Sequence, residues 1–263
     1  MQYITKKNRA ILREMVATDF KVRYQGSILG YLWSVLKPLF LFAILYVVFT
    51  YVFKVGNSIP HYPVYLLLGI VLWNFFTEAT MVGASSVVAH GDLLRKVSIP
   101  RYLVVIASSM SALINLSLSL IVVIIIALFN GLRPEVGWLM IPFIILEVFA
   151  FSLAVAFILS AAYVKYRDIT YIWEIVLQAG FYASAILFPL QLVPAQYQKW
   201  FFLNPLVQMV QDARYLGVTH DSVTIWSKLG VPYTLYPFVV VVVMAITAKL
   251  YFKKQSKLFA ENI

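Results

Sequence analysis

Cysteine is absent from this chain, and charged residues of either sign are scarce. Only 12% of the 263 residues are charged, whereas 62% are hydrophobic. Without cysteine the chain has no disulfide framework, no thiolate nucleophile and no thiolate metal site. A soluble globular domain carries about 25% charged residues. The shortage of charge therefore argues against that class and indicates a polytopic membrane protein.

The sequence also lacks the short motifs of common enzyme chemistry. It contains no GxxxxGK[ST] phosphate-binding loop, no HExxH zinc motif and no GxSxG nucleophile motif. The histidines His61, His90 and His220 are scattered and have no metal-ligand spacing. We therefore expect no catalytic residue, bound cofactor or metal site on this chain. Any uphill transport must draw its energy from an ion gradient or from a partner protein.

Six apolar stretches are long enough to span a membrane, whose hydrocarbon core needs about 20 helical residues. The fifth is the least apolar, because Glu174, Gln178 and Gly180 dilute it. We expect an all-α integral membrane protein with six transmembrane helices and one membrane domain over residues 1–263, without a separate soluble domain. The spans are predicted at 33–53, 63–88, 103–129, 138–163, 171–190 and 234–252, between a leading segment 1–32 and a tail 253–263.

Lysines and arginines are unevenly divided between the two sides that these spans define. They concentrate before the first span, after the second and fourth spans, and in the tail. Cytoplasmic loops are enriched in such cations, so both termini are expected in the cytoplasm. The net charge of +10 then reflects topology and not nucleic-acid binding. The cations on the other side are Lys54, Arg133, Lys199, Arg214 and Lys228.

The leading segment places apolar side chains at helical spacing over residues 4–24, with most basic residues on other faces. This pattern is typical of an amphipathic helix lying in the membrane interface. The alternative is an amphipathic helix that only packs on the transmembrane bundle. The apolar positions are Ile4, Ile11, Leu12, Met15, Val16 and Phe20.

The external connection at residues 191–233 is long and too apolar for a solvated loop. An aromatic cluster precedes Asn204-Pro205, and an apolar helical face follows it. We expect two short helices that dip into the outer leaflet and meet at Asn204-Pro205, with their backbone covered by protein or water. The cluster comprises Tyr197, Trp200, Phe201 and Phe202, and the face comprises Leu206, Val207, Met209, Val210, Ala213 and Leu216.

A polar stretch, HGDLLRKVSIPRYL at residues 90–103, separates the second and third predicted spans. Asp92 is placed to cap a helix, and Pro100 is placed to end it. We expect a short, rigid cytoplasmic helix that docks into a partner protein. The alternative is a basic anchor that only fixes topology. The side chains presented to the partner are Leu93, Leu94, Val97, Arg95 and Lys96.

Three glutamates, Glu78, Glu147 and Glu174, fall within predicted spans. Ionisable groups in the hydrocarbon region often mark ion pathways or proton relays, which favours an ion-coupled transporter as one alternative. The other interpretation is a protonated or hydrogen-bonded glutamate between helices.

Four segments of the chain occur in a familiar order: DFKVRYQGSILGYLWSVLKPL (19–39), LLRKVSIPR (93–101), YVKYRDITYIWEIVLQAGFYASAILFP (163–189) and NPLVQMVQDARYL (204–216). Together they resemble the permease subunits of type 2 ABC transporters. The likeness is closest to the branch that exports lipid-linked polysaccharides such as O-antigen and wall teichoic acid. It implies a homodimer of six-span subunits, docked to two copies of a separate cytoplasmic ATPase subunit that holds ATP and Mg²⁺.

The same resemblance implies roles for particular residues. The polar stretch becomes a coupling helix seated in the ATPase, the N-terminal helix approaches the ATPase, the external helices form an outer gate, and aromatics line a channel. The coupling residues are Asp92, Leu93, Leu94, Arg95, Lys96, Val97, Pro100 and Arg101. The gate residues are Tyr197, Trp200, Phe201, Phe202, Asn204 and Pro205, and the candidate channel residues are Phe181, Tyr182 and Phe188.

The expected function is therefore export of a lipid-linked polysaccharide across the cytoplasmic membrane, with membrane lipids around the subunit. One alternative is an ABC-type exporter of a smaller lipid or drug, and a second is a secondary transporter that uses the intramembrane glutamates. A membrane-embedded enzyme is disfavoured, because no catalytic cluster is present.

Overall fold

The computed structural model describes residues 6–30, 32–97 and 99–256, and all regular structure in these ranges is helical, as the sequence predicts. Residues 4 and 5 of the predicted N-terminal helix, and the tail beyond residue 256, lie outside the described residues. The helices are α1 Lys6–Tyr24, α2 Leu32–Val47, α3 Tyr62–Ala89, α4 Gly91–Lys96, α5 Tyr102–Phe129, α6 Ile141–Lys165, α7 Ile169–Ala183, α8 Ala195–Phe201, α9 Pro205–Gly217, α10 Ile225–Leu229 and α11 Tyr236–Gln255.

Five helical stretches in the described part of the chain are long and apolar enough to cross a membrane. Three of them extend a helix by an adjoining turn: α2 continues into a π-helical turn, and 3-10 turns precede α6 and α11. Their limits agree closely with five of the six predicted spans, and the chain is a multi-pass membrane protein. The stretches are Leu32–Val52, Tyr62–Ala89, Tyr102–Phe129, Val136–Lys165 and Val231–Gln255.

The remaining predicted span, 171–190, is only partly helical. Helix α7 has 15 residues, which at a rise of 1.5 Å per residue reach about 22 Å, less than the hydrocarbon core of about 30 Å. The chain leaves the helix after Ala183, and Ala185 adopts a left-handed backbone with φ of 50°. The predicted helix limit at 190 was therefore wrong. A sixth crossing completed by the buried, non-helical residues 184–187 stays a prediction.

Helix α3 is the centre of the bundle. In its most apolar stretch 72% of the residues are buried, compared with 6% in Leu32–Val52 and 17% in Val231–Gln255. A helix that is apolar on all sides is stable in protein only when other elements surround it, and α3 contacts α2, α5, α6, α7 and α9. Helices α2 and α11 lie at the periphery and leave broad apolar faces for lipid or for a second subunit.

The apolar face of α1 packs on α5. Met15 is buried with Val104 and Ala107 of α5, and the partly buried Ile11, Leu12 and Val16 surround this contact. Phe20, one turn further along, is half-buried. These contacts agree with the alternative that α1 packs on the bundle. A position in the membrane interface stays a prediction for its outward, charged face.

The helices α3 and α6 approach each other closely at Gly83. A Cβ atom built on Gly83 would lie 2.6 Å from the Cβ of Ala156, a distance that two carbon atoms cannot adopt without displacement. Small residues at a membrane-helix contact let two backbones pack tightly. The α3–α6 contact therefore depends on the absence of a side chain at position 83.

Gly83→Val should destabilise the bundle, because the new side chain must push α6 away from α3. Overpacking of this kind costs about 1–3 kcal/mol, which corresponds to a fall in Tm of at least about 2–4 °C. Thermal unfolding of the purified protein in detergent measures the effect. Ala17→Val, at an exposed position of α1, is the control and should leave Tm nearly unchanged. An unaltered Tm for Gly83→Val would show that the contact is not close in solution.

Candidate functional site

The polar stretch forms the short helix α4, which begins at Gly91 and ends at Lys96, before Pro100. Asp92 does not cap this helix, since His90 occupies the N-cap position and no side chain bonds to the free amides there. The predicted cap was wrong because the N-cap is His90, two residues before Asp92, which puts Asp92 within the first turn of the helix. The location of the helix between the second and third spans was predicted correctly.

The two leucines of α4 face in different directions. Leu94 is partly buried and packs on the clusters around Met15 and Val87. Leu93 and Val97 are 37% and 47% exposed, and the polar side chains around them are exposed as well. Leu94 therefore holds α4 to the bundle and is not free to contact a partner. We call the outward residues Asp92, Leu93, Arg95, Lys96 and Val97 the α4 docking surface.

His90 ties α4 to the N-terminal helix. Its Nδ1 lies 2.9 Å from the carbonyl oxygen of Ser86, and its Nε2 lies 3.3 Å from Oδ1 of Asp19 in α1. Both partners are acceptors, so both ring nitrogens donate only when the imidazole is protonated. The hydrogen bond that His90 donates to Asp19 raises the pKa of His90 against the opposing effect of burial. The α1 helix and the start of α4 are thus joined by the contact between His90 and Asp19.

In the long connection after α7, α8 and α9 meet at Asn204-Pro205 as predicted. The Asn204 side chain accepts a hydrogen bond from the Leu206 amide at 3.0 Å and donates to the Ser184 hydroxyl at 3.2 Å. Pro205 occupies the first turn, where its missing N–H leaves no partner unsatisfied. Helix α9 is buried on nearly all sides, including its polar residues Gln208 and Gln211. It is therefore enclosed by protein, not laid against lipid by one apolar face.

The aromatic residues of α8 do not form one cluster. Phe202 is buried, whereas Tyr197 and Trp200 are 53% and 60% exposed. Phe201 contacts Phe188 edge to face, with ring centroids 6.4 Å apart. The external surface of the predicted gate therefore consists of Tyr197 and Trp200, while the other two residues hold α8 to the bundle.

Arg214 of α9 is completely buried. Its guanidinium group donates to the carbonyl oxygens of Tyr65 at 3.1 Å, Ala185 at 2.8 Å and Ile186 at 2.7 Å, and to the side-chain oxygen of Gln211 at 3.1 Å. The group also lies 3.7 Å above the centre of the Tyr65 ring, within the range of a cation–π interaction. Hydrogen bonds from a charged donor are about twice as strong as neutral ones. Arg214 therefore joins α9, α3 and the turn after α7, and we call this arrangement the Arg214 clamp.

Two backbone features allow the clamp to form: one positions its carbonyl acceptors and the other leaves space for the guanidinium group. The left-handed conformation of Ala185 places two successive carbonyl groups within reach of one guanidinium. Gly69 of α3 leaves the necessary space, because a Cβ atom there would lie 2.4 Å from Nη2 of Arg214. A neighbouring bond from the Tyr62 hydroxyl to the Leu187 carbonyl, 3.1 Å long, fixes the same turn to α3.

The intramembrane glutamates have three different surroundings. Glu78 accepts a hydrogen bond from Asn115 at 2.7 Å and borders a groove of about 480 Å³ between α2, α3 and α5 that Lys37 also lines. Glu147 is buried, with Oε1 unpartnered among the described residues. Glu174 is exposed on α7. The surroundings differ too much to indicate a single proton relay.

Glu147 instead lies near Asp212 of α9. Oδ1 of Asp212 and both amide atoms of Gln208, one turn earlier on the same face, are buried and also unpartnered among the described residues. Burial and, to a smaller extent, the neighbouring Glu147 raise the pKa of Asp212 to about 8. Asp212 is therefore mostly neutral at pH 7, although its carboxyl group would ionise fully in water.

A polar stripe runs along the exposed face of α7. Glu174, Gln178 and Tyr182 are all exposed and are spaced by four residues, so they share one face of the helix. Of the three candidate channel residues only Tyr182 lies on this stripe. Phe181 packs on Trp73 of α3, with ring centroids 6.1 Å apart, and Phe188 packs on Phe201.

The amino-acid sequence matches a known protein family over most of its length. The model of the family described as ABC-2 type transporter matches residues 12–216, which include α4, α7 and the Arg214 clamp. The chain belongs to the ABC-2 type transporter family.

Several named proteins are similar to the chain over most of its length. The O-antigen export system permease protein RfbA of Myxococcus xanthus is 29% identical over 214 residues, covering 81% of this chain and 82% of the relative. A Klebsiella pneumoniae protein of the same name is 27% identical over 236 residues, covering 89% and 90%. The polysialic acid transport protein KpsM of Escherichia coli is 22% identical over 197 residues, covering 74% and 76%.

For this member of the ABC-2 family, sequence reasoning missed the Arg214 clamp. Arg214 had the pattern of an external surface cation, one of five on that side of the membrane. The available signal was local: it lies one turn after Val210 and one turn before Gly217, on the apolar side of α9. A lone arginine on an apolar helix face must find buried acceptors, but the sequence does not show that these are backbone carbonyls of α3 and of residues 185 and 186.

Arg214→Lys should destabilise the protein nearly as much as Arg214→Gln. A lysine ammonium is a single point charge and cannot reach carbonyl groups on three sides as a planar guanidinium does. Breaking a buried charged network costs about 3–5 kcal/mol, so both variants should lose most of their monodisperse protein on gentle heating in detergent. Arg133→Lys, at an exposed loop position, is the control. A lysine variant as stable as the parent would contradict the clamp.

Asp212 predicts a particular pH dependence of stability. Between its ordinary pKa of 3.8 and its folded value of about 8, the folded state holds a proton that the unfolded state releases. The free energy of unfolding should therefore fall as pH rises through this window and level off above it. Asp212→Asn should reduce this slope and raise Tm at pH 8.5 by about 2–4 °C for each kcal/mol gained. Exposed Asp92→Asn is the control, and an equal slope in both variants would contradict the assignment.

Proposed function

We propose that this chain is the transmembrane subunit of an ATP-driven exporter that moves a lipid-linked polysaccharide, of the O-antigen or teichoic acid type, outward across the cytoplasmic membrane. Membership of the ABC-2 family supports an ABC transporter. The relatives named as O-antigen export permeases, and the polysialic acid transport protein, support a polysaccharide as cargo. Since the chain has no phosphate-binding loop, ATP and Mg²⁺ belong to a separate cytoplasmic ATPase subunit.

The observation that carries this proposal is the polar stripe of α7. A carboxylate and an amide exposed on a membrane helix are costly when they face lipid, so such groups face protein or a water-filled cavity. A second copy of the chain placed against α7 would enclose an aqueous path between the two stripes. Carboxylate and amide groups can hydrogen-bond sugar hydroxyls, and the ring of Tyr182 offers an apolar surface to the sugar faces.

In the proposed assembly two copies form a homodimer and two ATPase subunits dock on the cytoplasmic side, where both termini also lie. The α4 docking surface suits this contact, because it presents two apolar side chains within a charged border. The separate surroundings of Glu78, Glu147 and Glu174 give no support to an ion-coupled secondary transporter.

Helix α3 connects the two sides of the membrane in this mechanism. It is one continuous helix of 28 residues, about 42 Å long, with α4 following its cytoplasmic end and the Arg214 clamp beside its external end. Movement of α4 by the ATPase would pass along α3 to the clamp and to α8 and α9. The His90–Asp19 pair would carry α1 along with the same movement.

Leu93→Asp should uncouple the permease from its ATPase without unfolding it, because Leu93 is exposed in the isolated subunit. We expect at least about a tenfold weaker association with the ATPase, measured by co-purification and by stimulation of ATP hydrolysis. Leu192→Asp puts the same charge on an exposed leucine of the external side and serves as the control. Leu94→Asp should instead destabilise the fold. Full coupling in Leu93→Asp would overturn the docking role.

The absence of cysteine makes accessibility of the stripe directly measurable. In the assembled transporter, Gln178→Cys and Tyr182→Cys should react with a charged, membrane-impermeant maleimide, since the proposed path is aqueous. Leu146→Cys, at an exposed apolar position of α6, should react at least about tenfold more slowly because lipid surrounds it. Equal rates at positions 146 and 178 would contradict an aqueous path along α7. Addition of lipid-linked glycan should protect positions 178 and 182 from the reagent.

A further inference from the structure

A groove that no residue of α7 lines takes no part in the proposed transport path. It lies between α6, α11 and the beginning of α5 and has a volume of about 850 Å³. Its walls are apolar over most of their length, with Leu153 and Phe157 on α6 and Val242 and Ile246 on α11. Ala154 and Ala245 line it too, and their small side chains keep it open. We call it the α6–α11 groove.

Positive charge is confined to one end of this groove. Arg101, at the start of α5, and Lys249 and Lys253, in the last turns of α11, line that end, and no acidic side chain is among the described residues that line any part of it. The Arg101 guanidinium also donates to the carbonyl of Ser256 and so joins the ends of α5 and α11. In the proposed topology this end lies at the cytoplasmic surface of the membrane.

We propose that the α6–α11 groove binds an anionic phospholipid of the cytoplasmic leaflet. The phosphate of the headgroup would lie among Arg101, Lys249 and Lys253, and the acyl chains would run along the apolar walls towards Val242. Basic pockets between membrane helices on the cytoplasmic side bind anionic headgroups. The groove requires an occupant with negative charge at one end and a long apolar body behind it, which describes a phospholipid.

The bound lipid has a structural consequence. Helix α11 contacts α6 and α9, yet only 17% of its most apolar stretch is buried within the subunit. A phospholipid in the groove would cover part of the remaining surface of α11 and bridge it to α5 through the shared cations. The proposal predicts a dependence on headgroup charge that does not involve the polysaccharide or the α7 stripe.

Native mass spectrometry of the purified permease–ATPase complex, titrated with phosphatidylglycerol or phosphatidylcholine, tests this site. The parent should bind phosphatidylglycerol more tightly. Lys249→Gln combined with Lys253→Gln should weaken that binding by about fivefold for each cation removed, with no change for phosphatidylcholine. The matched control combines Lys165→Gln with Lys254→Gln, two exposed cytoplasmic lysines outside the groove, and should bind as the parent does.

A second pair of variants tests the apolar part of the groove. Ala245→Trp should fill it and abolish retention of either phospholipid at this site, whereas Val243→Trp, exposed on another face of α11, should not. Equal phosphatidylglycerol affinity in the lysine double variant and its control would overturn the proposal. Tighter binding of a polyprenyl phosphate than of phosphatidylglycerol would identify a substrate lipid there and would also overturn it. Gain of phosphatidylglycerol binding on deletion of residues 257–263 would show that the chain's own tail occupies the groove.

Discussion

The packing of α9 against α3 depends on one buried cation, Arg214. Arg214 replaces its hydration with three backbone carbonyls, one side-chain amide oxygen and the face of a tyrosine ring. No carboxylate is among these partners, so the charge is stabilised by dipoles that the fold must hold in place. The interrupted helix after α7, the glycine of α3 and the orientation of α9 all serve this arrangement. These three features have one common cause, the burial of the Arg214 guanidinium group.

The Arg214 clamp and α4 are connected by a single helix, α3. Helix α3 contacts the clamp near one end and leads into α4 at the other end, and other helices enclose it along most of its length. Because α3 is one uninterrupted helix, a displacement applied at α4 would move the whole of α3. The peripheral helices α2 and α11, which bury little within the subunit, are free to adjust to lipid or to a second copy as the centre moves.

The features that the sequence predicted are those set by local composition. Five span limits follow from runs of apolar residues, the α8–α9 junction follows from Asn204-Pro205, and the position of α4 follows from a polar stretch ended by Pro100. The features that were missed depend on partners distant along the chain. The early end of α7 reflects Ala185 and Arg214, the inward orientation of Leu94 reflects Met15 of α1, and the start of α4 at Gly91 accompanies the bonding of His90 to Asp19. The two residues of each pair are too far apart in the sequence for a local pattern to reveal their contact.

The Gly69 notch also constrains how the protein is made. Helix α3 leaves the ribosome long before α9, so the space beside Gly69 and the carbonyl of Tyr65 exist in the nascent chain before their arginine has been synthesised. The helices made before α9 therefore pack around an unfilled recess beside Gly69. Packing of α9 against α3 then fills this recess with the Arg214 side chain, so the clamp forms only after the helices that precede it in the chain. A stalled chain that ends before residue 214 would expose the recess, and membrane quality control could distinguish it from the finished subunit.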